Sequence, residues 1–200
     1  MDEIVTRAMT KWPNVPAVYG WLALDLRGQW LIKGERIGNP GIVEFIGRNF
    51  EHDAQGRWFF QNGPQRVFVE LAYTPYVFRF DPERGTVLVA QNAISATRVD
   101  GCWIDEQGRV LVATDIGIGT IHDRDVEHLS RLFRNADGTV PDEDTLLAAV
   151  ETLQSGETAA LFLAWQEQRI PIEPIRSDAV FERFGIDARP QPAAGEEACT

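Results

Sequence analysis

Two cysteines in 200 residues, Cys102 and Cys199, provide no disulfide framework and no Cys-x-x-Cys spacing for zinc. Such sparing use fits a reducing compartment, and a cytoplasmic protein is expected. No stretch approaches the ~20 uncharged apolar residues that span a bilayer. The opening Met1-Asp2-Glu3-Ile4-Val5 lacks the basic and apolar regions of a secretory signal. Positive charge is scarce as well: Lys+Arg number 19 against 30 Asp+Glu, for a net charge of −11. Phosphate backbones and anionic lipid are repelled by that balance, so neither nucleic acid nor a membrane is an expected partner. The acidic excess is uneven. Residues 17–80 carry seven basic and six acidic side chains, and residues 81–200 carry ten and twenty-two. The plain reading is a solvated acidic surface; the sharper one is a patch for a basic partner or a divalent cation.

Catalytic signatures are missing too. Ser95, Ser130, Ser155 and Ser177 lack a Gly-x-Ser-x-Gly setting. No phosphate-binding loop ends in Gly-Lys-Ser/Thr, and Gly117 and Gly119 lack the third glycine of a dinucleotide fingerprint. Cys102, between Gly101 and Trp103, reads as a buried inert thiol. His52 reads as a solvated loop residue.

Core-forming residues and turns are plentiful. The chain is 44% apolar with six Trp and eleven Phe. Asp25-Leu26-Arg27-Gly28-Gln29-Trp30 reappears as Asp53-Ala54-Gln55-Gly56-Arg57-Trp58 and as Asp105-Glu106-Gln107-Gly108-Arg109-Val110, with a looser copy from Asp81 to Val87. Asp bonds its own backbone and Gly takes the positive φ, so each copy is expected at a hairpin tip.

Around these tips the order hairpin, loop, helix, strands occurs twice, which predicts an α+β fold of duplicated β-hairpin–helix–strand units, rich in strand. The expected organisation is an N-terminal arm over 1–16, with Trp12 as anchor; a first unit over 17–85; a second over 86–187; and a disordered tail over 188–200. In the first unit, Ile42–Phe50 has helical spacing. In the second, a helix is expected from Asp123, with Val126, Leu129, Leu132 and Phe133 as its apolar face and Phe133 matching Phe50, and Ile118-Gly119 matches Ile37-Gly38. The second unit also carries an insertion. Its helix Pro141–Leu153 is expected to bury Leu146, Leu147, Val150 and Leu153, and its closing hairpin ends in Ile170–Ile175, an expected edge strand because of Pro171 and Pro174. Ser177 is expected to cap a last short helix.

The run Trp30–Ile37, the apolar helix positions from Ile42, Asp53-x-x-Gly56-Arg57-Trp58, Val67-x-Val69-Glu70 and Pro75-Tyr76-Val77 together resemble a group of proteobacterial domain-of-unknown-function proteins. The resemblance covers roughly residues 20–80. It implies a β-rich α+β fold of repeated motifs, with signalling or ligand sensing suggested and no catalytic residue to carry over.

Two groups of residues could carry function. Strand-borne aromatics beside basic side chains mark binding surfaces, which selects Trp30, Arg36, Arg57, Trp58 and Arg66, with Lys33 and Arg79 near them, for an anionic small molecule or an acidic peptide. Alternatively, His122, Asp123, Asp125 and His128 form a titratable cluster with Asp115 and Glu127 that could hold a divalent metal for an enzyme. Helical spacing points the two histidines to different faces. The leading expectation is a non-enzymatic binding or regulatory module with an unassigned ligand or cofactor. The metal-assisted enzyme is the second reading. An oligomerising subunit or homodimer, with an exposed apolar edge near Tyr76–Phe80 or Leu161–Trp165, is the third.

Overall fold

The computed structural model describes every residue except 13, 14, 86, 195–197 and 200. Residues 13 and 14 of the expected arm, the first residue of the expected second unit, Thr86, and Gly195–Glu197 and Thr200 of the expected tail lie outside the described residues. In chain order the elements are α1 (Glu3–Lys11), β1 (Ala17–Leu24), β2 (Trp30–Ile32), β3 (Glu35–Arg36), α2 (Pro40–Arg48), β4 (Phe50–His52), β5 (Trp58–Asn62), β6 (Gln65–Leu71), β7 (Tyr76–Phe80), β8 (Leu88–Ala90), β9 (Ser95–Ala96), β10 (Val99–Asp105), β11 (Val110–Thr114), β12 (Gly117–Ile121), a 3₁₀ turn (Asp123–Asp125), α3 (Val126–Ser130), β13 (Phe133–Asn135), α4 (Glu143–Gln154), β14 (Leu161–Trp165), β15 (Gln168–Ile175), α5 (Ala179–Arg183) and β16 (Ala198–Cys199). This is a β-rich α+β protein with two sheets.

The chain divides into two compact units, one of residues 1–75, 91–93 and 181–200 and one of 76–90 and 94–180. The division departs from the expected one: the boundary falls at 75/76, and the C-terminal segment belongs with the first unit. Residues 1–16 hold a helix, seated by the buried Val5, while Trp12, the expected anchor, is 52% exposed. The segment after 187 is tied down at several points. Leu71 N–H donates to the Ala188 carbonyl, Pro190 is buried, and β16 runs parallel to β1.

In the first unit the strand order is β3-β2-β1-β6-β5-β4. β1 is antiparallel to β2 and parallel to β6. All three Asp-x-x-Gly tips form as the sequence dictates. At the second, Asp53 Oδ1 accepts the N–H of Gln55 and of Arg57, each at 3.0 Å, and Gly56 takes φ 75°. At the third, Asp105 Oδ1 accepts from Gln107 and Arg109, both at 2.9 Å. At the first, Asp25 Oδ1 accepts from Arg27 and Gln29 at 2.8 and 2.7 Å. In each hairpin the residue before Asp pairs with the residue five after it: Leu24 with Trp30, His52 with Trp58, Ile104 with Val110. α2 starts where Asn39 Oδ1 accepts the N–H of Gly41 and Ile42, with Pro40 in the first turn. It ends at Arg48, and Phe50 opens β4 instead of closing the helix, because its backbone pairs with Phe60.

In the second unit the nine-stranded order is β13-β14-β15-β10-β11-β12-β7-β8-β9. Its first six strands repeat the path of the first sheet in the same register. Phe50–Phe60–Val67 form one row across β4, β5 and β6, and Phe133–Leu163–Ile170 form one across β13, β14 and β15. Leu22 pairs with Val69 and Leu24 with Leu71; Cys102 pairs with Ile172 and Ile104 with Pro174. Additions are α4, which lies against β10 and β15, and β7–β9, which extend the sheet beyond β12. The sheet curls, bringing Phe80 of β7 within 6.1 Å of Trp165 of β14.

Five local expectations are corrected here. β15 is an interior strand: its residues 168–171 pair with β14 and 172–175 with β10, so each proline meets one ladder partner and its missing N–H is tolerated. Asp115–Thr120, read as a loop before the next helix because of Gly117 and Gly119, instead holds most of β12, since Gly119 lets the backbone lie on the Phe78 ring, where a Cβ would come within 2.5 Å. Thr120 stands opposite Leu111 as Arg36 stands opposite Leu31, so Ile118-Gly119 does not match Ile37-Gly38. Of the four residues α4 was expected to bury, Leu153 is buried, Leu146 and Val150 are half-buried, and Leu147 is 56% exposed. β7 and β14 each have partners on both sides, so neither offers the expected exposed edge.

Candidate binding face on the first sheet

Alternation along the strands sorts the side chains of the first unit onto two faces. One is the α2 face, where Phe45 meets Phe60 edge-on at 5.4 Å. Trp30 and Trp58 lie on it, only 1% and 7% exposed. Trp30 meets the Phe50 ring edge-on at 5.0 Å, and Phe50 lies 4.8 Å from Trp58. The turn register explains their burial. The residue five after Asp returns onto the face of the residue before Asp, and that face is the core. Both tryptophans are therefore core residues. His52 is exposed as expected but lies in β4, paired with Trp58, with its ring tilted 47° and 4.8 Å from the indole.

The opposite face carries the other expected residues, Arg57 and Arg66 beside β5 and β6 and Arg36 on the edge strand β3. Tyr19, Phe59 and Phe68, 2%, 3% and 2% exposed, form a buried aromatic cluster on this side: Tyr19 stacks on Phe68 at 4.5 Å, and Phe59 meets Phe68 at 5.9 Å. The Arg57 guanidinium lies 4.7 Å over Phe68 and that of Arg66 4.6 Å over Phe59. Arg57 is also held by Asp53, with Nε to Oδ2 at 2.7 Å. Burial raises the Asp53 pKa, but the Arg57 side chain and the turn N–H groups outweigh it and hold the carboxyl below its usual range. Further along, the row Arg36–Leu31–Ala23–Glu70 crosses β3, β2, β1 and β6. Beside it Lys33 Nζ sits 3.9 Å over the ring of Trp21, which is 39% exposed. Lys33, Arg36 and Arg66 make no ion pair among the described residues.

Trp21 and Glu70 were not selected from the sequence. Parity was the available signal, since Trp21 alternates with the core residues Leu22 and Leu24, and Glu70 with Val69 and Leu71. Arg79 belongs to the second unit, where its Nε bonds Asp125 Oδ2 at 2.8 Å.

The His/Asp cluster is dispersed. His122 Nδ1 lies 2.8 Å from Asp123 Oδ1, Asp125 is taken by Arg79, and His128 Nε2 lies 3.2 Å from the Gly85 carbonyl with its ring 4.3 Å from Phe80. Asp115 ties Thr97 and Arg98 through their N–H groups and the Thr97 hydroxyl. Among the described residues no three His, Cys, Asp or Glu side chains are gathered as a metal would require. Ser177 does not cap its helix in the expected way; its hydroxyl and its N–H both donate to Glu106.

A DUF1285 family protein from Silicibacter pomeroyi DSS-3 shares this fold at TM-score 0.53 and 13% identity, covering 88% of this chain and 97% of its own. Another, from Shewanella baltica OS155, aligns over 54% of this chain and 91% of its own at TM-score 0.37 and 13% identity. No curated protein sequence matches the chain. No helix among the described residues is long and apolar enough to cross a membrane. Residues 1–191 match the family DUF2944, described as "Protein of unknown function (DUF2946)", and the chain belongs to that family.

Proposed function

We propose that this protein is a non-enzymatic binding or regulatory module that takes an anionic ligand on the first sheet, on the face opposite α2. The observation that carries the reading is the set Lys33, Arg36 and Arg66. These are three cations without a carboxylate partner among the described residues, on one sheet face of a chain whose net charge is −11. A cation spread over aromatic rings in this way presents its remaining donors outward.

The identical strand order and register of the two units support the further reading that they are duplicated copies, of which the first kept the binding face. A cytoplasmic, signalling-type role is part of the same proposal; its support is the sparing cysteine usage and the absence of a catalytic constellation among the described residues.

The test is a ¹H–¹⁵N NMR titration with benzoate, a carboxylate on a flat ring. Shifts centred on Trp21, Lys33, Arg36 and Arg66, and lost in Arg36→Ala with Arg66→Ala, are expected. Shifts that are absent, or that survive both substitutions, overturn the reading.

A further inference from the structure

After α5 the chain turns at Gly185, whose φ is 62°. The N–H of Gly185 donates to the Glu182 carbonyl at 3.3 Å, and that of Ile186 to the Phe181 carbonyl at 2.8 Å. A glycine stop of this kind sets the residue after it against the last helical turn, here Ile186 against Phe181. The chain then runs past the ends of β5 and β6. Asp187 N–H donates to the Gly56 carbonyl at 3.0 Å, and the Ala188 carbonyl accepts from Leu71 N–H at 2.9 Å. Asp187 Oδ1 accepts the Arg189 N–H at 3.1 Å, which closes a tight turn ahead of the buried Pro190. These bonds frame a cavity of about 470 Å³ that lies wholly within the first unit. Leu71, Ala72, Phe181 and Ile186 line it with apolar groups, and Asp187 and Arg189 line it with opposite charges. The two charges do not pair with each other. Among the described residues neither the Arg189 guanidinium nor Asp187 Oδ2 has a hydrogen bond or an ion pair.

We infer that this cavity binds a free apolar α-amino acid, its carboxylate on Arg189, its ammonium on Asp187 and its side chain against Leu71, Phe181 and Ile186. An apolar pocket with a few polar groups is the usual form of a small-molecule site, and the volume is in the usual range. The charges select the class. An apolar acid without an ammonium meets like charge at Asp187, and an apolar amine without a carboxylate meets it at Arg189. A zwitterion complements both. The cavity shares no residue with the face that carries Lys33, Arg36 and Arg66, so it is a second site in the same unit.

The experiment is calorimetric titration of the full chain with leucine, N-acetylleucine, leucinamide and glycine. Leucine is expected to bind about tenfold or more tightly than either blocked form, each of which lacks one of the two charges. Glycine keeps both charges without the apolar side chain and is also expected to bind more weakly than leucine. Arg189→Ala should remove the advantage of leucine over leucinamide. Asp187→Asn, which keeps the turn acceptor, should remove its advantage over N-acetylleucine. Absence of leucine binding overturns the inference, as does equal affinity for leucine and any of the other three compounds. Leucine binding that both variants retain in full places the ligand elsewhere and overturns it too. The comparison of compounds on the unaltered chain decides the matter even if a variant fails to fold.

Discussion

Arg169 lies over the ring of Phe162 at 3.9 Å, and Arg66 lies over Phe59 at 4.6 Å. The two pairs hold the same register positions, one residue before Ile170 and Leu163 in one unit and one residue before Val67 and Phe60 in the other. Arg169 is also engaged by the Ala136 carbonyl at 2.8 Å, whereas Arg66 keeps its donors. Replacing either arginine by alanine should cost only about 0.5–1 kcal/mol in urea denaturation, as exposed cation–π pairs do. Only Arg66→Ala should also weaken benzoate binding. An equal loss of binding from Arg169→Ala would contradict the assignment of the site to the first sheet.

The turn glycines should differ in sensitivity. Gly28, Gly56 and Gly108 have φ of 73°, 75° and 76°, so any side chain is strained at each, at about 1–2 kcal/mol. A Cβ on Gly56 would also sit 1.8 Å from the Gly185 carbonyl oxygen, which is backbone and cannot step aside. On Gly108 it would meet the end of the Gln154 side chain at 2.8 Å, which can. Gly56→Ala should therefore lower the melting temperature more than Gly108→Ala. The reverse order would contradict the turn geometry.

Truncation of the C-terminal segment should destabilise the protein, against the expectation from its composition. Removing residues 188–200 deletes the acceptor for Leu71 N–H, the buried Pro190 and β16. A loss of about 2–4 °C per kcal/mol applies to a chain of this length. Stopping after residue 190 keeps the first two contacts and should cost less. Melting curves of the two truncations decide this; identical values would mean that the Ala188–Pro190 contacts contribute nothing.

Stability should fall in acid partly through Glu106. Hydrogen bonds from the Ser177 hydroxyl and backbone N–H bring its pKa down to about 2 from a model-peptide value of 4.5. Its folded form thus favours the ionised state, and the contribution is present above pH 4.5 and is lost as pH falls towards about 2. Glu106→Gln should flatten the slope of unfolding free energy against pH in that window and leave it unchanged at neutral pH. An unaltered slope would contradict the Ser177 pairing.

The two thiols should separate cleanly. Cys102 is buried and desolvation pushes its pKa up to about 12, whereas Cys199 is exposed. One thiol per chain should react rapidly with an aromatic disulfide reagent in the native protein and two in urea. Rapid reaction of both in buffer would show that the β10 core opens readily.

Local chemistry alone determined the hairpin tips. An Asp that caps its own turn and a Gly at positive φ act over five residues and need no distant partner, which is why all three tips form where the sequence repeats. The helix after Asn39 was legible from the spacing of its apolar residues, but its start at Pro40 and its end at Arg48 were not. Long-range pairing decided the rest. Trp30 and Trp58 read as binding-surface aromatics because a tryptophan has the same composition in either role. Only the hairpin register turned both into the core and left Trp21, at the opposite parity, outside. Pro171 and Pro174 argued for an edge strand, but a strand can hand its two neighbours successive halves of its length, and no local rule anticipates that. The Ala- and Pro-rich C-terminal segment read as disordered because it buries little by itself; it is held by a carbonyl, a buried proline and two paired residues whose partners lie over a hundred positions away.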